Sequence, residues 1–185
     1  MVGIIANPAA GKDIRRLIAH GVMLDNQSKV SVMRRVIVGL GALGIDRVLL
    51  MPDEYRLAER AMQGLSSRAE PPPVAEILAM PVRGTAEDTV RAAAEMRTMG
   101  AGCLVVLGGD GTTRAAARGA GEVPILPLSS GTNNVLPTCL EGTVAGLAAA
   151  AVASGMVPRG ETCHRQKRLR ICVDGAVPFA VPAPL

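Results

Sequence analysis

The chain has 185 residues, 49% of them hydrophobic, and a formal net charge of +4. That length allows one full domain with a sizeable core but not two domains of average size, and the apolar content excludes a disordered chain. Aromatic residues make up 1%, with no Trp, so the core must be aliphatic and alanine-rich, and nucleic-acid binding by base stacking has almost no residues to work with.

Val2 to Ala6 reads as a short apolar strand, broken by Asn7-Pro8 and followed by Ala9-Ala10-Gly11-Lys12. Lys12 stands where a helix should begin, a place that suits a phosphate. It is not a Walker A loop, because position 6 is Ala and Asp13 follows the lysine. Asp13 to His20 has a short helical pattern. Asp25-Asn26-Gln27-Ser28 forms a loop that caps the next helix, Lys29 to Leu43, which ends at Gly44. Gly39-x-Gly41-x-x-Gly44 matches a dinucleotide fingerprint in letters only. It falls late in a helical pattern and before a strand, the wrong context for a redox cofactor.

Asp46 to Met51 is the second strand. Pro52-Asp53-Glu54 starts a helix reaching Leu65, and Pro71-Pro72-Pro73 is a stiff connector. Val74 to Met80 is the third strand. Thr85-Ala86-Glu87-Asp88 is a capping box with Asp in the last place, opening a helix to Met99 that Gly100 closes. Cys103 to Leu107 is the fourth strand. The Gly108-Gly109-Asp110 loop follows, then a helix from Gly111-Thr112-Thr113 to Arg118. Val123 to Leu128 is the fifth strand, ending in the polar stretch Ser129-Ser130-Gly131-Thr132-Asn133-Asn134. Glu141 to Ser154 is an Ala-rich helix.

Five alternations of strand and helix, with connections too long for hairpins, give an α/β fold. Its sheet is doubly wound, mainly parallel and five-stranded, with helices on both faces. The domain should run from residue 1 to 158. Residues 159–185 change pattern: Leu169, Ile171 and Val173 share one face of a strand, and Asp174-Gly175 is a hairpin signal. Prolines 178, 182 and 184 make a poor return strand, so a β unit is expected to start without finishing.

Most of the 20 basic residues are dispersed along helical stretches. Arg165, Lys167, Arg168 and Arg170 are the exception. No nucleic-acid partner is expected, and the modest positive balance suits an anionic small molecule. Cys103, Cys139, Cys163 and Cys172 form no C-x-x-C pair and read as reduced thiols of a cytoplasmic protein. Cys163-His164 would supply two metal ligands, but no second pair stands at a zinc spacing. The stretches Val36 to Ile45 and Val144 to Gly155 are too short to span a membrane.

Three polar, glycine-containing loops fall at carboxyl ends of strands: residues 7–12, 108–113 and 131–134. In doubly wound sheets ligands sit past those ends, near the switch point. At the central loop, Gly108, Gly109 and Gly111 let a phosphate reach backbone N–H groups at a helix start. Asp110 is the ionised group there, suited to holding Mg²⁺ or taking a proton from an attacking hydroxyl.

Taken together, Asn7-Pro8-x-x-Gly11-Lys12, Gly108-Gly109-Asp110-Gly111-Thr112 and Gly131-Thr132-Asn133-Asn134 resemble the ATP-dependent NAD kinase superfamily, which also holds diacylglycerol and sphingosine kinases. The run from Ser130 to Pro137 is most similar to the acetoin-catabolism branch, the AcoX-type NAD kinase-like proteins. The resemblance covers about residues 1 to 175 and implies an amino-terminal α/β domain followed by a β-sandwich, with nucleotides in the cleft between them. It implies ATP and Mg²⁺ as cofactors, NAD as substrate and a homo-oligomer for the full-length form. Asp110 would engage the acceptor hydroxyl, the 2′-hydroxyl of the adenosine ribose in NAD kinases. Asn7, Pro8, Gly11, Lys12, Gly108, Gly109, Gly111, Thr112 and Thr113 would hold nucleotide, as would Gly131, Thr132, Asn133 and Asn134.

The sequence also departs from the pattern. It lacks the later Asn-Glu or Asn-Asp of typical NAD kinases. Val135 follows Asn134 where diacylglycerol kinases place an acidic residue. Only the first strand of the second domain is expected within 159–185. A kinase of another hydroxyl substrate, lipids included, and a non-catalytic nucleotide-binding domain are the alternatives.

Overall fold

The computed structural model describes residues 1–10, 25–65, 73–130, 134–173 and 176–182. Five strands form one parallel sheet: β1 (Val2–Ala6), β2 (Arg47–Leu50), β3 (Val74–Ile77), β4 (Leu104–Gly108) and β5 (Ile125–Ser129). Their spatial order is β3-β2-β1-β4-β5. The chain therefore moves outward in one direction from β1 to β3, then crosses to the other side of β1 for β4 and β5. The switch point lies between β1 and β4, where Ala6 pairs with Leu107.

Every residue of β1 and β4 is buried, because helices cover both faces; this is why these strands read as unbroken apolar runs rather than alternating ones. The side chains still divide by parity. Ile4, Leu50 and Val105 join one core with α1 (Asn26–Ala42), α2 (Leu57–Gln63) and α5 (Gly142–Ala153). Ile5, Leu49 and Val106 join a second core with α3 (Ala86–Thr98) and α4 (Asp110–Ala120). A short α6 (Arg159–Thr162) leads towards β6 (Arg168–Val173) and β7 (Ala176–Pro182).

Several boundaries differ from the sequence reading, each for a local reason. Helix α1 starts three residues earlier than expected, because Asp25 itself caps it through Ser28 N–H. Helix α2 starts later, at Leu57. Asp53 first accepts the N–H groups of Tyr55 and Leu57, and Arg56 takes a left-handed backbone (φ 55°) before the helix begins. Strand β3 stops at Ile77, as its neighbour β2 stops at Leu50. The capping box of α3 forms as read, with Asp88 accepting from Thr85 N–H. The expected helix between Asp13 and His20 lies outside the described residues.

The return strand does form, contrary to expectation: β7 pairs antiparallel with β6, placing Pro182 opposite Arg168 and Phe179 opposite Ile171. In a two-stranded ribbon both strands are edges. Edge positions tolerate a residue that lacks an N–H. Among the described residues no helix is long and apolar enough to cross a membrane.

Candidate functional site

The two loops flanking the switch point are bonded to each other. The Asn7 N–H donates to the carbonyl of Leu107 at 3.0 Å, continuing the β1–β4 ladder. The Asn7 side-chain amide donates to Thr112 Oγ1 at 2.9 Å, and its oxygen accepts from Ala9 N–H at 2.9 Å. Asn7 thus breaks the strand, turns the loop and ties that loop to the first turn of α4. The site residues Asn7, Pro8, Gly108, Gly109, Asp110, Gly111, Thr112, Thr113 and Asn134 all gather at this carboxyl edge. Gly11, Lys12, Gly131, Thr132 and Asn133 lie outside the described residues.

Asp110 is the first residue of α4 rather than the tip of a loop, with Gly109 as the cap. A carboxylate there faces the positive end of the helix dipole. It is half-buried, and both oxygens are engaged. Val135 N–H lies 3.0 Å from each, and Leu136 N–H lies 2.9 Å from Oδ1. Asp110 therefore joins the loop after β4 directly to the loop after β5. Asn134 completes the junction by donating to Ser129 Oγ at 2.7 Å. The second loop also folds back on its own strand, where Ser129 N–H donates to the carbonyl of Thr138.

The glycines of the central loop have separate jobs. A Cβ on Gly108 would stand 2.6 Å from Cβ of Thr112, and one on Gly109 would stand 3.0 Å from Oδ1 of Asn134. Both glycines allow close approach of neighbouring protein. Gly111 is different: a Cβ there meets nothing within 4 Å, and the residue is exposed. Its missing side chain leaves room for something outside the chain. Gly111→Ala is accordingly expected to leave the melting temperature unchanged or raised, since Ala is favoured over Gly in a helix by about 0.5–1 kcal/mol. For any anion received on the N–H groups of this turn, the same change should weaken binding by about tenfold, as read by titration calorimetry, through the added methyl group.

Beside this edge lies a cavity of about 350 Å³, lined by Asn7, Pro8, Gly111 and Thr112 on one side and by Asp53, Tyr55, Thr85 and Asp88 on the other. The first turn of α4 contributes N–H groups that lack intrahelical partners. The far wall is acidic. Burial raises Asp53 above the ordinary carboxylate range, against the opposing effect of the N–H groups of Leu57 and Tyr55. Asp88 is buried; its Oδ2 accepts from Arg83 and Thr85 N–H, and its Oδ1 lies 4.0 Å from Arg91 without a hydrogen bond. The cavity thus has an end suited to anions at α4 and an end that repels them at Asp53 and Asp88. Tyr55, the chain's one tyrosine, is 48% exposed at its rim.

Gly111 and the first turn of α4 stand open beside the cavity. Among the described residues no three His, Cys, Asp or Glu side chains gather as a metal cage, so a Mg²⁺ ion here would rest on one carboxylate, Asp110, and on ligand phosphates. The oxygens of Asp110 already accept backbone N–H groups.

Sequence reasoning missed Lys29, which it took for the ordinary start of a helix. Lys29 is fully buried, and its Nζ reaches carbonyl oxygens of the Asn7–Ala10 loop. A signal was present: Lys29, Met33, Val36 and Leu40 share the inward stripe of α1 by their spacing, and all four are buried. Elsewhere, burial pushes the Cys103 thiol up to about 12, as suits an inert core residue. Arg165 of the basic cluster pairs with Glu122 in full exposure.

A parallel sheet whose strand order reverses between β1 and β4, with an aspartate and glycines opening a helix at the crossing, defines a doubly wound α/β domain. Residues 2–156 match the family model of the ATP-NAD kinase N-terminal domain, and the chain belongs to that family. It is 42% identical over 179 residues to acetoin catabolism protein X of Cupriavidus necator, an alignment that covers 95% of this chain and 50% of that relative. The chain therefore spans about half the length of the curated relative it matches. No solved structure matches it.

Proposed function

We propose that this chain forms the nucleotide-binding part of an NAD kinase-like phosphotransferase, moving the γ-phosphoryl group of ATP to the 2′-hydroxyl of NAD. The observation that carries the reading is the junction at the switch point, where Asn7, Thr112, Asp110 and Val135 bind three loops into one rigid edge. Phosphoryl transfer asks a protein mainly for alignment and charge stabilisation. The first turn of α4 would receive phosphate oxygens on its N–H groups, with Gly111 leaving them access. The acidic far wall favours an orientation in which the phosphates lie at α4 and the nucleoside points towards Tyr55. Asp110 would accept the proton of the attacking hydroxyl as the oxygen–phosphorus bond forms and ADP departs. Oδ1 already accepts both N–H groups, so the hydroxyl would approach Oδ2, which holds only the shared contact with Val135. Beyond the described residues, Gly11, Lys12, Gly131, Thr132 and Asn133 are assigned to the same nucleotide site. We assign the chain to a cytoplasmic enzyme whose β domain begins after Pro158, and whose full-length form is a homo-oligomer.

The engagement of Asp110 with the N–H groups of Val135 and Leu136 favours one second reading, a nucleotide-binding domain without turnover of its own. A single experiment separates the two. The purified chain is incubated with ATP, Mg²⁺ and NAD, and NADP is read by a coupled dehydrogenase, with ATP affinity measured in parallel. Turnover supports the kinase; binding without turnover supports the second reading; neither binding nor turnover overturns both.

A further inference from the structure

Lys29 lies in the first turn of α1, a turn with no acidic residue. A cation at that end of a helix opposes the dipole, and burying an ammonium group costs further unless hydrogen bonds replace its water. Methionine would continue the stripe formed by Met33, Val36 and Leu40 without either cost. What the lysine gains is specific. Its Nζ lies 3.0 Å from the carbonyl oxygen of Asn7, 3.0 Å from that of Pro8 and 2.7 Å from that of Ala10, with Asn26 Oδ1 at 3.3 Å. An ammonium group has three N–H donors, and here three carbonyls of one four-residue loop converge on it. Such convergence is normally the work of a bound cation; here the cation is tethered to a helix.

The loop so held is the one that reaches the site. Asn7 passes from Lys29 on its carbonyl to Thr112 on its side chain, and Pro8 lines the cavity. We infer that Lys29 is a positioning residue: its buried ammonium group fixes the Asn7–Ala10 turn, and through Asn7 the first turn of α4, in the geometry that receives ligand phosphates. This inference rests on the reading of the cavity as a nucleotide site. It extends that reading to a residue that does not touch ligand.

The test uses the full 185-residue chain and the Lys29→Met variant, which keeps length and burial while removing charge and donors. In the ligand-free protein, amide hydrogen exchange at Ala9 and Ala10 should rise by about tenfold or more in the variant, with exchange in β1 and β4 unchanged. Affinity for ATP and for inorganic triphosphate should fall by about ten- to a hundredfold, while affinity for adenosine stays within about twofold. Lys29→Arg, which keeps the charge but holds its donors in a planar fork, should show a smaller loss of the same kind, and serves if the Met variant does not fold. Unchanged exchange at Ala9 and Ala10, or equal losses for adenosine and triphosphate, would overturn the positioning role. If the parent chain binds neither ATP nor triphosphate, the nucleotide reading fails by itself, and exchange at Ala9 and Ala10 still decides whether Lys29 holds the loop.

Discussion

Asp110→Asn is expected to reduce phosphoryl transfer by about 10²–10⁴-fold, the usual worth of a positioned proton acceptor, while leaving the loop after β5 in place. The reason lies in the geometry. The two N–H groups that Asp110 receives, from Val135 and Leu136, both reach Oδ1. An asparagine oxygen at the place of Oδ1 can accept both, so the amide keeps most of the junction and loses the charge together with the contact from Val135 N–H to Oδ2. Asp110→Ala removes junction and charge together. That variant should lose activity to the same extent and also show faster amide exchange at Val135 and Leu136. It should lose about 1 kcal/mol of stability as well, since net hydrogen-bond contributions cluster near that value. The pair of variants separates chemistry from architecture: equal activity in parent and Asn variant would remove Asp110 from the reaction, whatever the Ala variant does.

Gly146→Ala should destabilise the fold strongly for the addition of one methyl group. Helices α1 and α5 touch backbone to backbone at Gly39 and Gly146. A Cβ on Gly146 would overlap the carbonyl oxygen of Val36 and stand 2.9 Å from Cα of Gly39. Backbone cannot rotate aside as a side chain can, so the helices must separate. Overpacking of this kind costs about 1–3 kcal/mol. Each kcal/mol lowers the melting temperature of a chain of this size by about 2–4 °C. A melt followed by circular dichroism reads the result. Separation here also disturbs the site, because α1 carries Lys29.

These two positions show how unevenly the sequence revealed the molecule. The strands were legible because both faces of the sheet are covered, so Val2 to Ala6 and Cys103 to Leu107 could only be apolar runs. The loops at Asn7 and Gly109 were legible as loops because polar and glycine residues break the apolar strands that precede them. Strand order was not. It depends on which distant strands pair, and nothing local in β3 says that it lies farthest from β5. The prolines of β7 misled, because their missing N–H groups matter in a central strand and are tolerated at an edge.

At the site, the sequence offered Asp110 as an open carboxylate, whereas its oxygens are shared with Val135 and Leu136, 25 and 26 residues further on. Lys29 was hidden by its charge. A lysine near a helix start reads as solvated, and only the inward stripe it belongs to hints otherwise. Gly39 and Gly146 carry no sign in sequence that they face each other. Close approach of two backbones is a property of the pair.

The proposed nucleotide site lies at the switch point between β1 and β4, against the first turn of α4. Amide hydrogen exchange of the chain with and without ATP and Mg²⁺ tests it most directly. Exchange should slow on ligand addition at Ala9, at residues 110–113 and at Val135 and Leu136, with α5 and α6 unchanged. Protection confined to the opposite, amino-terminal edge of the sheet, or to the β6–β7 ribbon alone, would contradict it.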